Sequence, residues 1–409
     1  MTNWKSAGRR FGPHPAWRPH LPEEDRYVSA PRDRDLAFSI IGLGVNGLEH
    51  MRNTFHEGRA TVHGIYDPEP RSVEAARDQY RHFAQDEKLL VHKSIEECCA
   101  DPGANGIIIA TPNFTHLDVV RRAAEFGKPI LLEKPMATTV KDAWEIVKIA
   151  EDYPSVFQIG LQYRYKAMYA EAIYEAQTRR SVGTIKTISI TEHRVPFFDK
   201  VKQWNKFARF SGDTLVEKCC HYFDLFNLFA GSRPVKVYAS GSMAVNFTDF
   251  VYEGQPSDII DNAMVIVDYD GDIRASFQLC MFAPMFYEQF ILCGDEGRLS
   301  AYKRQDYLRG SPTCEMQVLS NLDRPARTIT PEYPGSIESL GHDGATFFEH
   351  AQFVDNILGA PTVTATVMDG FWSVVVGAAA QESIATGQPV QVEQFLVKEG
   401  IEPGEATGG

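Results

Sequence analysis

Long apolar runs are missing from this chain. It contains no stretch of 18 apolar residues, so no membrane-spanning helix is expected. A surplus of positive charge is missing as well: 41 Lys and Arg stand against 54 Asp and Glu, a formal net charge of -13. That balance argues against a general nucleic-acid or anionic-membrane surface, though not against a small cationic pocket. The seven cysteines include no CxxC pair, which argues against a zinc site and for reduced thiols in a cytoplasmic protein. Cys98-Cys99 and Cys219-Cys220 read as small buried side chains, not as metal ligands. Arg9-Arg10-Phe11 hints at a twin-arginine export signal, but no apolar stretch follows it, so export is not expected. Internal repeats and low-complexity segments are also absent.

The 409 residues suffice for two domains with separate cores. Residues 1–35, rich in Pro, Arg and His, read as an irregular arm, and 400–409 as a loose tail. From 36 to 160, strands alternate with helices. Strands are expected at Ala37–Ile41, Thr61–Tyr66, Gly106–Ala110, Pro129–Leu132 and Val156–Ile159, and helices at Gly47–Glu57, Arg71–Phe83, His116–Phe126 and Thr139–Asp152. This is the pattern of an α/β fold with a doubly wound parallel sheet. Over 161–399 it changes to a helix (Ala167–Arg179), then β-like runs, which suggest an α+β domain with a large, mostly antiparallel sheet. Late helices, Thr346–Leu358 and Val367–Thr386, have apolar spacing suited to packing on the first domain. An active site between the two domains is expected.

The most informative segment is Phe38-Ser-Ile-Ile-Gly-Leu-Gly-Val-Asn-Gly47. Gly42, Gly44 and Gly47 follow a buried-strand pattern, and Asp67 ends the next strand twenty residues later. One glycine makes the tight turn, the next admits a pyrophosphate, and the third lets helix and strand pack closely. Gly42, Gly44, Val45, Asn46 and Gly47 would carry the pyrophosphate on a helix N-terminus. Asp67 would accept hydrogen bonds from the adenosine ribose and repel a 2′-phosphate, which favours NAD over NADP.

Further along, Thr111, Pro112, Asn113 and His116 form a loop where the cofactor backbone would pass. Leu132-Glu133-Lys134-Pro135 closes a buried strand at the ligand edge of the sheet, which makes Lys134 a better candidate than an ordinary surface lysine. The third cluster runs from Gly212 to Asp224. If it is helical, Glu217, His221 and Asp224 share a face, with Lys218 at its border. His221 could take a proton from a sugar hydroxyl while a carboxylate orients it. A capping His beside a surface Glu–Lys pair is the equally weighted alternative on this segment alone.

Together these motifs resemble the Gfo/Idh/MocA oxidoreductases, a likeness that runs from about 36 to 393. It includes Gly341-His342-Asp-Gly and the late helix carrying Ser383. The resemblance implies NAD as cofactor, Lys134 polarising the reacting hydroxyl, His221 as acid/base, and Glu217 where the family usually has Asp. It also implies cofactor contacts from Glu133 and Gln162, and a homodimer or homotetramer. Lys218 departs from the family pattern: an ammonium beside the catalytic His is costly unless substrate or a neighbour neutralises it. With Gln162-Tyr163-Arg164-Tyr165, the string Glu-Lys-Cys-Cys-His-Tyr-Phe-Asp looks like the NAD-dependent sulfoquinovosidase subgroup. Those enzymes cleave glycosides of a sulfonated glucose by transient oxidation at C3, elimination, water addition and re-reduction. Arg164, Tyr165, Lys218, His221 and Trp204 would then bind the substrate. Either His221 or a tyrosine of the 163–165 segment would act as the base at C2. The alternative is an NAD-dependent sugar or inositol dehydrogenase; a non-catalytic NAD sensor has no need of Lys134 and His221 together. No metal is expected, and Lys200, Lys202 and Lys206 read as a solvated face.

Overall fold

The computed structural model describes residues 35–84, 88–306, 312–321, 324–402, 404 and 406. The expected N-terminal arm, apart from Asp35, and half of the expected tail lie outside the described residues. The chain forms two compact units that interleave along the sequence. The first takes the described residues up to Ala137, with Glu145–Ala167 and Tyr333–Met368; the second takes Thr138–Trp144, Met168–Glu332 and the described residues from Asp369.

Six parallel strands make the sheet of the first unit: β1 (Leu36–Ile41), β2 (Ala60–Tyr66), β3 (Leu90–Val91), β4 (Gly106–Ile109), β5 (Ile130–Glu133) and β6 (Phe157–Gly160). Their order is β3-β2-β1-β4-β5-β6, the Rossmann order, in which the ligand crevice opens where the order reverses between β1 and β4. β4 and β5 are buried along their whole length, as a sheet covered on both faces requires. Helix α1 (Val45–Glu57) starts at Gly44 and is closed by Gly58 in the left-handed region. Pro70 opens α2 (Pro70–Phe83), where its missing N–H has no intrahelical partner to lose. β3 and α3 (Ile95–Ala100) were not expected, because elements this short carry no period. The next helices, α4 (His116–Ala124) and α5 (Val140–Glu151), match expectation to within two residues at each end. The unit is completed from far along the chain. Phe353 and Val354 join Phe38, Met51 and Phe55 in one core, and the rings of Phe38 and Phe353 stand 5.3 Å apart.

Among the described residues the second unit is built on nine strands in the order β16 (Arg327–Ile329), β15 (Thr313–Ser320), β14 (Gly297–Asp306), β13 (Met285–Gly294), β7 (Ile185–His193), β12 (Ile273–Cys280), β11 (Asn262–Tyr269), β8 (Pro234–Ser242) and β17 (Val390–Gln391), while β9 (Val251–Tyr252) and β10 (Gln255–Pro256) pair with each other. Only β7 (Ile185–His193) and β12 (Ile273–Cys280) pair in parallel; the remaining pairs are antiparallel. Period-2 burial marks β11 (Asn262–Tyr269) and β12, as the sequence suggests. β14 (Gly297–Asp306) was not expected: its second half is Lys303-Arg304-Gln305-Asp306, and Leu299 and Ala301 alone are buried. The expected helix Ala167–Arg179 is α6 (Ala167–Ile173) followed by a π-helical turn, Tyr174–Thr178.

The Gly212–Asp224 cluster is helical but not as one helix: it holds α7 (Asp213–Glu217) and the start of α8 (Cys220–Ala230). The backbone N–H groups of Lys218 and Cys219 both reach the Thr214 carbonyl, at 3.0 and 3.2 Å, and this widened turn breaks the helical phase. Glu217 and His221 therefore do not share a face by continuous i, i+4 spacing. Near the end come α9 (Ala345–Ile357), in the first unit as expected, and α10 (Val367–Thr386), which from Asp369 onward belongs to the second unit instead. On α10, Ser383 Oγ accepts the Ala239 N–H of β8 (Pro234–Ser242) at 2.9 Å, a structural tie to the sheet.

Candidate active site

In the first unit the glycine loop is shaped by what cannot be there. Gly42 has φ +91°, and a Cβ on it would lie 2.6 Å from the Ala110 carbonyl. On Gly47 a Cβ would lie 2.0 Å from the Gly42 carbonyl oxygen. Gly44 differs: its φ is an ordinary -69°, and a Cβ there meets nothing within 4 Å. The open space lies at the start of α1, which has no side-chain cap, so Val45, Asn46 and Gly47 present their N–H groups to it. A dinucleotide pyrophosphate fits such a cradle. Asp67 is fixed beside it, with Oδ2 accepting the Leu43 N–H and Oδ1 the Glu69 N–H, each at 2.7 Å. Gln162, on a turn after β6, is buried, and its Oε1 has no hydrogen-bond partner among the described residues. That orphaned acceptor suits a bound amide.

Across the sheet edge, Thr115 Oγ1 donates to the Pro112 carbonyl at 2.7 Å and accepts from the Thr111 hydroxyl at 2.8 Å, which closes the loop around Asn113. His116 is buried with both ring nitrogens against backbone carbonyls, Nδ1 2.9 Å from Pro135 O and Nε2 3.0 Å from Thr111 O. Burial lowers its pKa, and these two bonds only partly offset that. His116 thus ties the loop to the Lys134-Pro135 segment and offers no ring atom to a cofactor. The Lys134-Pro135 bond is cis. Glu133 is buried, with Oε1 2.9 Å from His50 Nε2 and Oε2 accepting the Lys134 N–H at 3.0 Å. Arg164 and Tyr165 are buried in the same unit, and the Tyr165 carbonyl accepts the Tyr333 hydroxyl at 2.6 Å. The Gly341–Gly344 turn has four successive residues at positive φ, two of them non-glycine, His342 and Asp343. That strained turn aims His342 Nδ1 at Glu49 Oε1, 2.7 Å away.

In the second unit, His221 and Lys218 are both buried at the junction of α7 and α8. Lys218 Nζ is 3.2 Å from Oε1 of Glu192 on β7; the two side chains are 7% and 0% exposed. Glu192 faces Glu288 of β13 (Met285–Gly294) directly across the strands. Glu288 accepts the Tyr222 hydroxyl at 2.8 Å, and Arg194 lies 3.6 Å from Glu192. Among the described residues Lys218 and Arg194 both lie against Glu192, and this neighbour, not a substrate, neutralises Lys218. Glu217 lies 3.9 Å from Lys200, whose ammonium sits 4.7 Å from the Trp204 ring centroid. The expectation of a solvated lysine face holds only for Lys202. Lys206 is buried and bonded to Asp199 and to Gln203, the latter at 2.8 Å.

The sequence reading missed Glu192 and Glu288, yet a signal exists. Each falls on the inward parity of its strand, with Ile188 and Ile190 in one and Phe290 and Leu292 in the other. Their meeting with Lys218 depends on strand register and is not written locally.

Comparison with known proteins identifies the family. The model for the oxidoreductase family's NAD-binding Rossmann fold matches residues 36–161, and the model for its C-terminal alpha/beta domain matches 177–392. The chain belongs to the Gfo/Idh/MocA oxidoreductase family. Its cofactor is NAD. It is 23% identical to scyllo-inositol 2-dehydrogenase (NAD(+)) of Bacillus subtilis (strain 168) over 87% of this chain and 96% of that protein. It is 24% identical to 1,5-anhydro-D-fructose reductase of Ensifer adhaerens over 74% of this chain and 84% of that one. Among solved structures, levoglucosan dehydrogenase in complex with NADH and levoglucosan superposes with a TM-score of 0.72 at 21% identity, covering 87% and 99% of the two chains. As a family member the protein is an NAD-dependent oxidoreductase. Among the described residues no helix is long and apolar enough to cross a membrane.

Proposed function

We propose that this protein is an NAD-dependent dehydrogenase acting on a secondary hydroxyl of a cyclic polyol, an inositol or a neutral sugar. The observation that carries this reading is the charge balance around Lys218: its ammonium is matched by Glu192 inside the protein. The Lys218 ammonium is therefore already engaged by a carboxylate of the protein, which favours hydroxyl groups over a sulfonate as its further partners. The inositol and anhydrosugar relatives support the same substrate class. In this reading Lys134 donates to the oxygen of the reacting hydroxyl, and His221 takes its proton. Bound NAD supplies the hydride acceptor. A redox-neutral glycosidase of an anionic sugar is the more specialised reading of the same residues; it would draw on Arg164, Tyr165 and Trp204 for recognition.

The deciding experiment offers the protein inositols, neutral sugars and a chromogenic sulfoquinovoside, with NADH and aglycone followed together. Stoichiometric NADH from a neutral polyol supports the dehydrogenase. Aglycone release with catalytic NAD and no net NADH replaces it with the glycosidase. Exposed Val235, Tyr238, Met264 and Ile266 on the second sheet support a homodimer or homotetramer, which light scattering would measure.

A further inference from the structure

Two Glu-His dipeptides meet inside the nucleotide-binding unit. Glu49-His50 lies on α1 and Glu349-His350 on α9, and all four side chains are buried. His50 Nδ1 stands 2.8 Å from His350 Nε2, with the ring centroids 5.1 Å apart. The other nitrogen of His50 faces Glu133 at 2.9 Å, and the second oxygen of Glu133 accepts the Lys134 N–H at 3.0 Å. One chain of hydrogen bonds thus runs from His350 through His50 and Glu133 to the backbone of Lys134.

The direction of this chain follows from chemistry. Burial opposes a charge on Glu133, but the His50 hydrogen bond and the charges of His50, Lys134 and His342 outweigh it and hold the carboxyl low. An ionised carboxylate only accepts, so Nε2 of His50 carries the hydrogen. Burial holds the His350 ring well below the usual imidazole range, and any charge on His50 would act in the same direction. Glu349, on the same helix, is the opposite case to Glu133. Its two oxygens have no hydrogen-bond partner among the described residues, and burial with the charges of Glu133 and Glu49 pushes its carboxyl well above the usual range. Glu49 is instead held ionised: burial opposes this, but His342 and Thr346 outweigh it. Glu133 is thereby the ionised group in contact with the lysine backbone.

We propose that His50 is a positioning residue for Lys134: oriented by His350, it fixes the Glu133 carboxylate against the lysine backbone and keeps a negative charge beside the lysine side chain. The catalytic consequence rests on the dehydrogenase reading, but the charge relation can be measured without turnover.

Trace acetylation of the NAD-loaded protein across a pH series, with the Lys134 peptide quantified by mass spectrometry, reads the titration of that amine. His50→Leu should let Glu133 protonate and lower the Lys134 midpoint by about one unit or more. His50→Gln, whose amide N–H can still donate to Glu133, should stay near wild type. Glu133→Gln should reproduce the lowering, and the His50→Leu/Glu133→Gln double variant should add nothing to it. If His50→Leu does not fold, His50→Asn, too short to reach Glu133, takes its place. An unmoved midpoint in the Leu or Asn variant, or equal shifts for Gln and Leu, overturns the proposal. Absence of polyol oxidation alongside the expected midpoints would overturn the dehydrogenase reading and leave the positioning role standing.

Discussion

The ammonium of Lys218 and the carboxylate of Glu192 form a buried pair 3.2 Å apart, the lysine from the break between two helices and the glutamate from a central strand. Removing one partner of such a pair strands the other in a poor dielectric. Lys218→Met should therefore destabilise the protein by about 3 kcal/mol in urea unfolding, and Lys218→Met/Glu192→Gln should recover most of that loss. KM values for neutral and sulfonated sugars should move together. A stable Lys218→Met protein with a selective rise in KM for the sulfonated sugar would restore the anionic-substrate reading.

Gly44 and Gly47 should separate binding from stability. A methyl at Gly44 meets no protein atom and stands in the space assigned to the pyrophosphate, so Gly44→Ala should leave thermal stability within about 0.5 kcal/mol. The same variant should weaken NAD by about tenfold or more, roughly 1.4 kcal/mol, in a calorimetric titration. Gly47→Ala must displace the Gly42 carbonyl and should lose about 1–3 kcal/mol of stability as well.

Asp67 should set the preference for NAD over NADP. It lines a pocket of about 470 Å³ together with Arg77 and Arg81, cations that would tolerate a 2′-phosphate once the carboxylate is gone. Asp67→Ser should narrow the preference by a few kcal/mol at most, on the order of a lost charge-assisted hydrogen bond. Because Asp67 also holds the Leu43 and Glu69 N–H groups, NAD affinity itself should fall somewhat. Equal wild-type affinities for the two cofactors would remove Asp67 from this role.

Glu349 makes stability fall with rising pH. Its folded pKa lies above its unfolded value, so its contribution is intact below the unfolded carboxyl pKa and is lost as pH rises toward the folded one. Glu349→Gln removes that loss. The variant should be more stable than wild type near neutral pH, with the difference shrinking as the pH is brought down to about 4. Paired urea unfolding curves at several pH values give this difference directly; a gap that does not change with pH would mean Glu349 is ionised in the fold.

Lys134→Ala and His221→Ala should each abolish turnover on the true substrate while NAD binding, followed by titration, stays largely intact. Near wild-type turnover in either variant would remove that residue from the chemistry.

What could be read from the sequence was local. Gly42, Gly44, Gly47 and Asp67 announce a dinucleotide fold because turn, helix start and strand end lie within thirty residues, and in the structure they lie at the turn after β1, at the start of α1 and just past the end of β2. Lys134 was legible for the same reason, as the end of a buried strand. The break at Lys218 was not, since nothing in Val-Glu-Lys-Cys-Cys-His forbids a continuous helix. His50 and His350 are 300 residues apart, and no period connects them. Lys206 misled because a lysine is usually solvated; only the fold shows it buried, bonded to Gln203 and to the exposed Asp199.

The interleaving of the two units has a consequence for synthesis. Phe353 and Val354 complete the core around Phe38, Met51 and Phe55, and His350 closes the chain of bonds that reaches Lys134. The nucleotide-binding half, although most of it leaves the ribosome first, therefore cannot complete its core until Ala345–Ile357 has also emerged. Until then its apolar face stays uncovered, so the growing polypeptide spends most of its translation in need of chaperone cover.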